Sequence, residues 1–458
     1  MASSKSSYLE KGAAYLSSES EQFAELEDAE ILTLLQSSDG ESSSDDDLVL
    51  PSNQKVSPDP SLGDSSVWKA AANLFNFMEG IGFLAVPYAL KEGGIAAMVM
   101  FIITPIIMRY LGTILSECLY DEDEQGNRHR VRSGYKDLGD VLLPKYGGYI
   151  VSGIIQVDVF LMAVSYLVLF GSVMRHDFPS VPITERMWIG IAGCLVLPTV
   201  FLKSLSQIAW LSATSVIALI AVVVYVLWYG AESTGEWDLS TIVFWDAEGV
   251  VTSSSILLYS YFAHPIIPSV EGSMADKGKF GRALTLAYVV STSMKLSFAV
   301  FAFLSFGANT DALILNSLPS GPVHISVGSF FALNCILSYC LVLYPLFESV
   351  DKSVTTRIQN DQIPDFITNA VIRVTVVVLS VVVAILVPSF LLIISFIGGI
   401  LDSPACYIFP IILRFKLKYK RLKIHQVCVD SFIVTFGVIA VLSSVPVSIK
   451  TLINFYEQ

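Results

Sequence analysis

The residues best suited to chemistry in this sequence are ionisable side chains inside long apolar stretches. They are Arg109, Asp158, His264, Lys295 and Asp402, together with Glu79 beside a glycine. An ionisable group inside a membrane-spanning helix is costly, so it is by default a candidate for an ion or substrate pathway. Arg109 lies near a helix end, where its long side chain can reach water.

Asp158 is the predicted proton carrier, because it lies in the middle of its apolar stretch. Desolvation favours the uncharged form of a carboxyl group, which lets the group take up a proton. The alternative is a structural role, either in an ion pair with Lys295 or as a hydrogen-bonded group. His264 is the second proton-coupling candidate, since imidazole titrates near neutral pH. Its alternative is to satisfy the backbone at a helix break. His324 lies near the end of a stretch and is expected to be solvated.

Two stretches contain helix-breaking residues near their centres. The first, 73–88, has Gly80, Gly82 and Pro87, and the second, 259–272, has Pro265 and Pro268. Glycine weakens a helix and proline removes a backbone donor, so both helices are expected to unwind. Unwound backbone at membrane depth needs protein or a water-filled cavity to receive its polar groups. The pattern predicts a binding site at the two breaks.

The exposed backbone of the two breaks suits a zwitterion. The free N–H groups of Gly80, Ile81 and Gly82, at the start of a half-helix, suit a carboxylate. Unpaired carbonyls around Tyr261, Phe262 and Ala263 could accept bonds from an ammonium group. A small amino acid is therefore the predicted substrate. The predicted substrate-binding residues are Asn76, Glu79, Gly80, Ile81, Gly82, Phe83, Tyr259, Tyr261, Phe262 and Ala263.

The apolar stretches that position these residues predict a multi-pass membrane protein. The chain is 53% hydrophobic and only 15% charged, and its mean hydropathy is +0.63. A helix needs about 20 apolar residues to cross a bilayer. Eleven candidate spans lie at 68–90, 93–119, 149–174, 187–203, 207–229, 250–275, 283–307, 323–347, 370–388, 390–413 and 427–450. The fold class is all-α, with membrane lipid as the solvent.

Basic residues predict the orientation. They concentrate in the loops after spans 2, 4, 6, 8 and 10, for example Arg128, Arg130 and Arg132, whereas the 230–249 and 308–322 loops have none. Cytosolic loops are enriched in Lys and Arg, so the N-terminus is expected in the cytosol and the C-terminus on the luminal side. The broken spans 1 and 6 then begin two sets of five helices, and paired breaks in inverted repeats indicate a transporter's binding site.

The first 66 residues differ from the rest. They contain fourteen acidic residues and three lysines, a charge of −11 within the total of −13. Such a segment cannot bury enough apolar surface to fold, so 1–66 is predicted to be a disordered cytosolic tail and 67–458 the transmembrane domain. The tail lacks the pattern of a signal peptide. Glu30, Leu34 and Leu35 match an acidic dileucine sorting motif that an adaptor protein would read, or a chance occurrence.

Other classes of function lack sequence support. None of the six cysteines has metal-ligand spacing with a histidine, and the sequence contains no nucleotide-binding loop and no hydrolase triad. We therefore expect no enzyme activity, no catalytic residue, no cofactor, no metal site and no nucleic-acid partner.

The span 1 motif and several later ones resemble the amino acid/auxin permease family, and within it the vesicular transporters of inhibitory amino acids (GABA and glycine). The resemblance covers 68–450. Its main points are Asn73, Asn76, Gly80, Pro87-Tyr88, Cys118-Leu119-Tyr120, Arg130-Val131-Arg132, Leu197-Pro198, Ser260-Tyr261, Pro268-Ser269, Glu271-Gly272, Leu337-Ser338-Tyr339 and His425-Gln426-Val427.

This resemblance implies a five-plus-five inverted-repeat fold with an eleventh helix, and uptake driven by the proton gradient of a synaptic-like or endolysosomal vesicle. It places Asp158 where these transporters have an acidic residue after a glutamine. Glu79 departs from their neutral amide, and Gly82 from a bulky residue, as in vacuolar permeases of the family. The alternatives are export of neutral amino acids from a lysosome or vacuole, and a transporter-like amino acid sensor that signals through its tail.

Overall fold

The computed structural model consists of helices joined by short turns. It describes residues 63, 65–123, 125–201, 205–232, 237, 243–319, 321–357 and 365–457. Glu30, Leu34 and Leu35 lie outside the described residues, as does nearly all of the predicted tail. Ser65 and Ser66, which the sequence-based boundary assigned to the tail, have defined positions. Ser66 caps the first helix by accepting the Lys69 N–H at 3.3 Å.

Fourteen α-helices and two strands make up the described regular structure. The helices are α1 Val67–Met78, α2 Val86–Glu117, α3 Tyr135–Leu142, α4 Gly147–Asp177, α5 Glu185–Val196, α6 Leu205–Glu232, α7 Ala247–Tyr261, α8 Ile267–Gly272, α9 Phe280–Phe306, α10 Pro322–Arg357, α11 Asp365–Leu386, α12 Phe390–Phe396, α13 Phe409–Lys418 and α14 Ile424–Glu457. The strands are β1 Tyr120–Glu122 and β2 Arg128–Arg130. Short 3₁₀ turns lie at Ile81–Ala85, Thr199–Phe201, His264–Ile266, Lys277–Lys279, Gly307–Asn309, Ile314–Ser317 and Tyr419–Arg421.

Eight helical segments in the described part of the chain are long and apolar enough to cross a membrane. They are Ile81–Glu117, Gly147–Asp177, Ala247–Gly272, Lys277–Asn309, Pro322–Phe347, Ile367–Leu386, Phe390–Arg421 and Ile424–Asn454. Large apolar side chains on their outer faces are exposed, among them Ile106, Leu379 and Leu442. Lipid is the solvent that such faces require. The chain is therefore a mostly helical, multi-pass membrane protein, and the count of eleven spans stays a prediction.

Three predicted spans are missing from those eight for identifiable reasons. Span 1 is divided between α1 and the segment that begins at Ile81. Span 4 is shorter than predicted, because α5 ends at Val196, just before Pro198, which has no N–H to continue the helix. Span 5 corresponds to the 28-residue helix α6, of which only Ile217–Glu232 has described side chains, and this segment is apolar.

Both predicted helix interruptions are present. α1 ends at Met78, and Gly80 is extended (φ −76°, ψ −162°) before the 3₁₀ turn Ile81–Ala85 begins. α7 ends at Tyr261, and Phe262 is extended (φ −68°, ψ 112°) before the turn His264–Ile266 and α8. Proline at the start of each resumed helix is tolerated because the first N–H groups have no partner within the helix.

Spans 1 and 2 join within the long helix α2, which bends at Gly94. This residue has φ +53°, and a Cβ built on it would lie 1.7 Å from the Val243 carbonyl oxygen. The same oxygen accepts the Ile95 N–H at 3.2 Å. Only glycine fits this position, because of both its backbone conformation and its close approach.

Span 10 contains a third irregularity that the sequence analysis did not predict. Between α12 and α13 the chain forms π-helical turns at Ile397–Asp402 and Pro404–Ile408. Gly398 packs against the Ser255 carbonyl of α7, where a Cβ would lie 2.0 Å away. π-Helical turns often occur at functional sites, and Asp402 ends the first of them.

The β1–β2 hairpin follows α2 and is an exception to the predicted all-α fold. Its strands are antiparallel, with Tyr120 opposite Arg130. Arg130 donates to the Pro268 carbonyl at 2.7 Å and lies 3.2 Å from the Glu271 carboxylate, while Tyr120 donates to the same carboxylate. Burial and this bond raise the pKa of Tyr120, so its hydroxyl stays a donor. The hairpin thus holds α8, the short helix after the second break.

Candidate functional site

Glu79, at the end of α1, forms a buried ion pair with Lys295 of α9. Its Oε1 lies 3.3 Å from Lys295 Nζ and accepts a 2.5 Å hydrogen bond from Ser291. Ser291 and Lys295 are four residues apart, so they lie on one face of α9. Lys295 is fully buried and Glu79 is only 8% exposed. A buried charge needs such a partner to be tolerated, so each residue supports the other.

The Lys295 ammonium group also joins the two interrupted helices. Its Nζ donates to the Met78 carbonyl at 3.0 Å and to the Ser260 carbonyl at 2.6 Å, and it lies 4.6 Å from the Tyr261 ring centroid. Both carbonyls are in last helical turns, where they have no partner within the helix. The sequence allowed Lys295 to pair with Asp158, and that pairing is wrong, since the partner is Glu79.

The carbonyls predicted to bind a substrate ammonium group already have partners in two of three cases. The Tyr261 carbonyl accepts the Tyr288 hydroxyl at 3.3 Å, and the Ala263 carbonyl accepts the Ile266 N–H at 3.3 Å. The sequence analysis did not predict that a lysine of the chain itself places an ammonium group at this break. The sequence held one signal of this contact: Glu79 is an acid and Lys295 a base, and each lies in an apolar stretch.

The two breaks touch each other. A Cβ on Gly82 would lie 2.8 Å from Cδ1 of the Tyr259 ring, so the ring fills the space that the missing side chain leaves. Phe83 stacks on Phe298 of α9 with ring centroids 4.5 Å apart. Ile81, Tyr261, Phe262 and Ala263 are buried with them, whereas Asn76 is exposed on α1. Nine of the ten predicted substrate residues therefore meet at the breaks, and Asn76 does not face this buried core.

Several polar atoms at the breaks are buried without a hydrogen-bond partner in the described structure. They are Glu79 Oε2, the Tyr259 hydroxyl and Ser260 Oγ. An unsatisfied buried polar atom costs about 1–3 kcal/mol, so native structures rarely retain a group of them. Their concentration at the two breaks indicates a place for a polar ligand.

Asp158 of α4 lies close to Asp402, which ends the π-helical turn of span 10. Asp158 is 4% exposed and Asp402 is 1% exposed, and α4 packs against the π-helical turn that ends at Asp402. Asp158 Oδ1 and both Asp402 oxygens have no hydrogen-bond partner in the described structure. From the sequence, Asp402 was identified as an ionisable residue in an apolar stretch, but it was not placed in the site.

His264 is buried just after the second break. Its Nδ1 lies 3.2 Å from Cys406 Sγ in the second π-helical turn, and its ring faces Phe262 with centroids 6.2 Å apart. Nε2 is buried without a hydrogen-bond partner among the described residues. His264 thus links the break in span 6 to the second π-helical turn of span 10, which follows Asp402 in the sequence.

A polar cleft of about 210 Å³ opens beside α7 and α14. Its lining includes Glu92, Asp246, Glu248, Ser395 and Thr451. These residues lie in or beside the loops that the basic-residue pattern places away from the cytosol. The cleft begins at the start of α7, the helix that leads to Tyr259.

Comparison with known proteins identifies the family. The family model described as transmembrane amino acid transporter protein matches residues 63–450. A vesicular inhibitory amino acid transporter of Xenopus tropicalis is 28% identical over 405 residues, which are 86% of this chain and 78% of that protein. The Homo sapiens protein of the same name is 27% identical, over 86% and 77%.

A plant relative and a solved structure extend the comparison. Amino acid transporter AVT1J of Arabidopsis thaliana is 26% identical over 85% of this chain and 92% of that protein. The inward-facing conformation of Mhp1 superposes with a TM-score of 0.53 at 12% identity, covering 86% of this chain and 94% of that one, a likeness of fold. The chain belongs to the transmembrane amino acid transporter family.

Proposed function

We propose that the chain is a secondary active transporter that moves small neutral amino acids, such as GABA or glycine, across a vesicle membrane in exchange for protons. The family supports amino acid transport. The relatives named as vesicular inhibitory amino acid transporters support the vesicle and the substrate class. The remainder of the proposal depends on the geometry of the breaks.

The observation on which the proposal depends most is the group of unsatisfied polar atoms at the breaks. A substrate carboxylate would accept from the first N–H groups of the helix that starts at Ile81, where the helix dipole favours negative charge. The substrate ammonium group would bind Glu79 Oε2, the carboxylate oxygen that neither Lys295 nor Ser291 uses. Phe83, Tyr259 and Tyr261 would enclose the small carbon skeleton.

Asp158 and Asp402 are the proposed proton site. Two buried carboxylates repel each other, so such a pair is expected to retain a proton and to release it when its surroundings change. Tyr259 would connect this pair to the substrate site, since its ring packs on Gly82 and its Cβ lies beside Gly398, in the π-helical turn that ends at Asp402. Movement of Tyr259 upon substrate binding would then alter the environment of the proton site.

The proposed cellular setting follows from the same assignment. The N-terminus would face the cytosol and the C-terminus the lumen of a synaptic-like, endolysosomal or vacuolar vesicle. An adaptor protein would bind the tail at Glu30, Leu34 and Leu35. Inward transport requires the proton gradient across that membrane, and no cofactor.

Reconstitution of the full chain into sealed proteoliposomes tests the proposal. Uptake of labelled GABA, glycine, alanine and glutamine would be measured with an acidic interior, and again after an ionophore collapses the gradient. We expect gradient-dependent uptake of at least one of these in the wild type and its loss in Glu79→Gln. Glu117→Gln is the matched control, since Glu117 lies at a helix end and its side chain is 42% exposed.

Other outcomes separate the alternative functions. Efflux of preloaded amino acid without gradient-driven uptake would contradict vesicle loading and favour export. Absence of transport in both directions would contradict a transporter of these substrates. A tail-deleted chain that transports normally but loses a binding partner would favour a sensing role.

A further inference from the structure

A cluster of His176, Asp177 and His324 lies away from the proposed transport site. Among the described residues it is the one group of three side chains that could hold a metal ion, with ligand atoms all within 4.8 Å of one another. His176 and Asp177 end α4, and His324 is in the first turn of α10. The basic-residue pattern places both helix ends on the luminal side.

His324 Nε2 is the centre of the cluster. It lies 2.9 Å from Asp177 Oδ1 and 3.0 Å from His176 Nδ1. One ring N–H cannot serve both neighbours. In a tetrahedral site with bonds of about 2.0–2.1 Å, neighbouring ligand atoms are about 3.4 Å apart. Zinc binding would therefore have to lengthen these separations of 2.9 and 3.0 Å by about half an ångström.

The buried atoms of the cluster lack hydrogen-bond donors. His324 is 2% exposed and Asp177 is 6% exposed. Both Asp177 oxygens have no hydrogen-bond partner in the described part of the chain. The His324 ring lies near Asp177 Oδ1, but its N–H does not point at that oxygen. A group of unsatisfied buried polar atoms calls for an explanation, and a bound ion is one.

We infer that His176, Asp177 and His324 form a Zn²⁺ site that links α4 to α10. Two imidazoles and one carboxylate are a ligand set that suits zinc and leaves the fourth position to water. Calcium and magnesium prefer oxygen ligands. His176 is only partly buried, so the ion reaches the site from solvent. Gly328 keeps the site tight, since a Cβ there would lie 2.3 Å from Asp177 Oδ2.

Zinc titration of the purified, tag-free full chain in detergent micelles tests this site, with a competing fluorescent indicator as the readout. We expect one equivalent of Zn²⁺ per chain. Asp177→Asn and His324→Gln should each weaken binding at least about tenfold, the loss that removal of even an outer-shell partner causes. His129→Gln is the control, because His129 and Asp123 form an exposed pair at 3.2 Å.

Thermal unfolding supplies a second readout. Zinc should raise the midpoint of the wild type and of His129→Gln, because a ligand that binds only the folded state stabilises it, and should leave His324→Gln unchanged. If a buried variant fails to fold, His176→Gln replaces it, since that ligand is partly exposed. A wild type that binds no zinc, or a His176→Gln variant that binds zinc like the wild type, would overturn the inference. The cluster would then be a structural contact between α4 and α10.

Discussion

Two groups of buried ionisable side chains lie close together, and they are satisfied to different degrees. Glu79 and Lys295 neutralise each other, Ser291 donates to Glu79, and the ammonium group has two further carbonyl partners, so that Glu79 Oε2 is the one carboxylate oxygen of this group without a partner in the described structure. Asp158 and Asp402 are both acidic, and three of their four oxygens lack a hydrogen-bond partner in the described structure. The first group is suited to hold the breaks together. The second is suited to exchange a proton, since nothing fixes its charge.

The largest expected effect comes from removing the positive charge from the group formed by Glu79, Ser291 and Lys295. Lys295→Met should destabilise the protein by about 3–5 kcal/mol, because it leaves the Glu79 charge buried without a partner. Thermal and denaturant unfolding in micelles would measure the loss. Lys450→Met is the control, since the pair that Lys450 forms with Glu248 is exposed and exposed pairs contribute little.

A double variant makes this test specific to the pair. Glu79→Gln in the Lys295→Met background removes the unpaired charge, so the double variant should be more stable than Lys295→Met alone. If Glu79→Gln instead lowers the stability of the Lys295→Met variant further, the two side chains act independently, and the contrast drawn between the two groups is wrong.

The second largest effect is expected at the pair formed by Asp158 and Asp402. Asp158→Asn should abolish gradient-driven uptake while the protein still folds, because asparagine keeps the shape of the side chain but cannot exchange a proton. Exchange of labelled for unlabelled substrate without a gradient should persist, which separates a proton role from a substrate role. Asp276→Asn provides the control, as Asp276 pairs with Lys279 on the surface. Undiminished uptake in Asp158→Asn would refute the proton assignment.

Asp402→Asn should have a smaller effect with a definite sign. Without its neighbour's charge, Asp158 ionises more readily and holds its proton less tightly. The interior pH that gives half-maximal uptake should therefore move to lower values. The pH profile of initial uptake rates would show it, and a shift toward higher pH would show that the two carboxyl groups do not repel each other.

The sequence predicted the positions of both helix breaks because the cause is local. Gly80 and Pro265 act on their own helix, so composition alone reveals them. Contacts between helices that are far apart in the sequence could not be predicted in this way. Glu79 and Lys295 are 216 residues apart, and nothing in the spacing shows that α1 and α9 meet. Asp402 was missed for the same reason, because its neighbour Asp158 lies on another helix.

The burial of a side chain was also harder to predict than the position of a helix break. His324 was expected to be solvated because it lies near a span end, yet it is 2% exposed. α10 begins against the end of α4, so its first turn is covered by protein. The spacing of cysteines and histidines could not bring His324 together with His176 and Asp177 either, since such spacing shows only residues that are close in sequence. The hairpin at Arg130 escaped prediction because its short, charged strands look like a loop.

The smallest expected effect is that of a substitution at His264. It tests whether His264 belongs to the proton site that Asp158 and Asp402 are proposed to form. Among the described residues, the polar contact of its Nδ1 is with the weakly polar Cys406 thiol, so His264→Asn should cost about 1 kcal/mol of stability, the typical effect of a point mutation. Gradient-driven uptake should fall much less than in Asp158→Asn, measured in the same proteoliposomes. A loss as complete as that of Asp158→Asn, with substrate exchange retained, would place His264 in the proton path, and the proton site would then extend from the carboxyl pair through Cys406 to the second break.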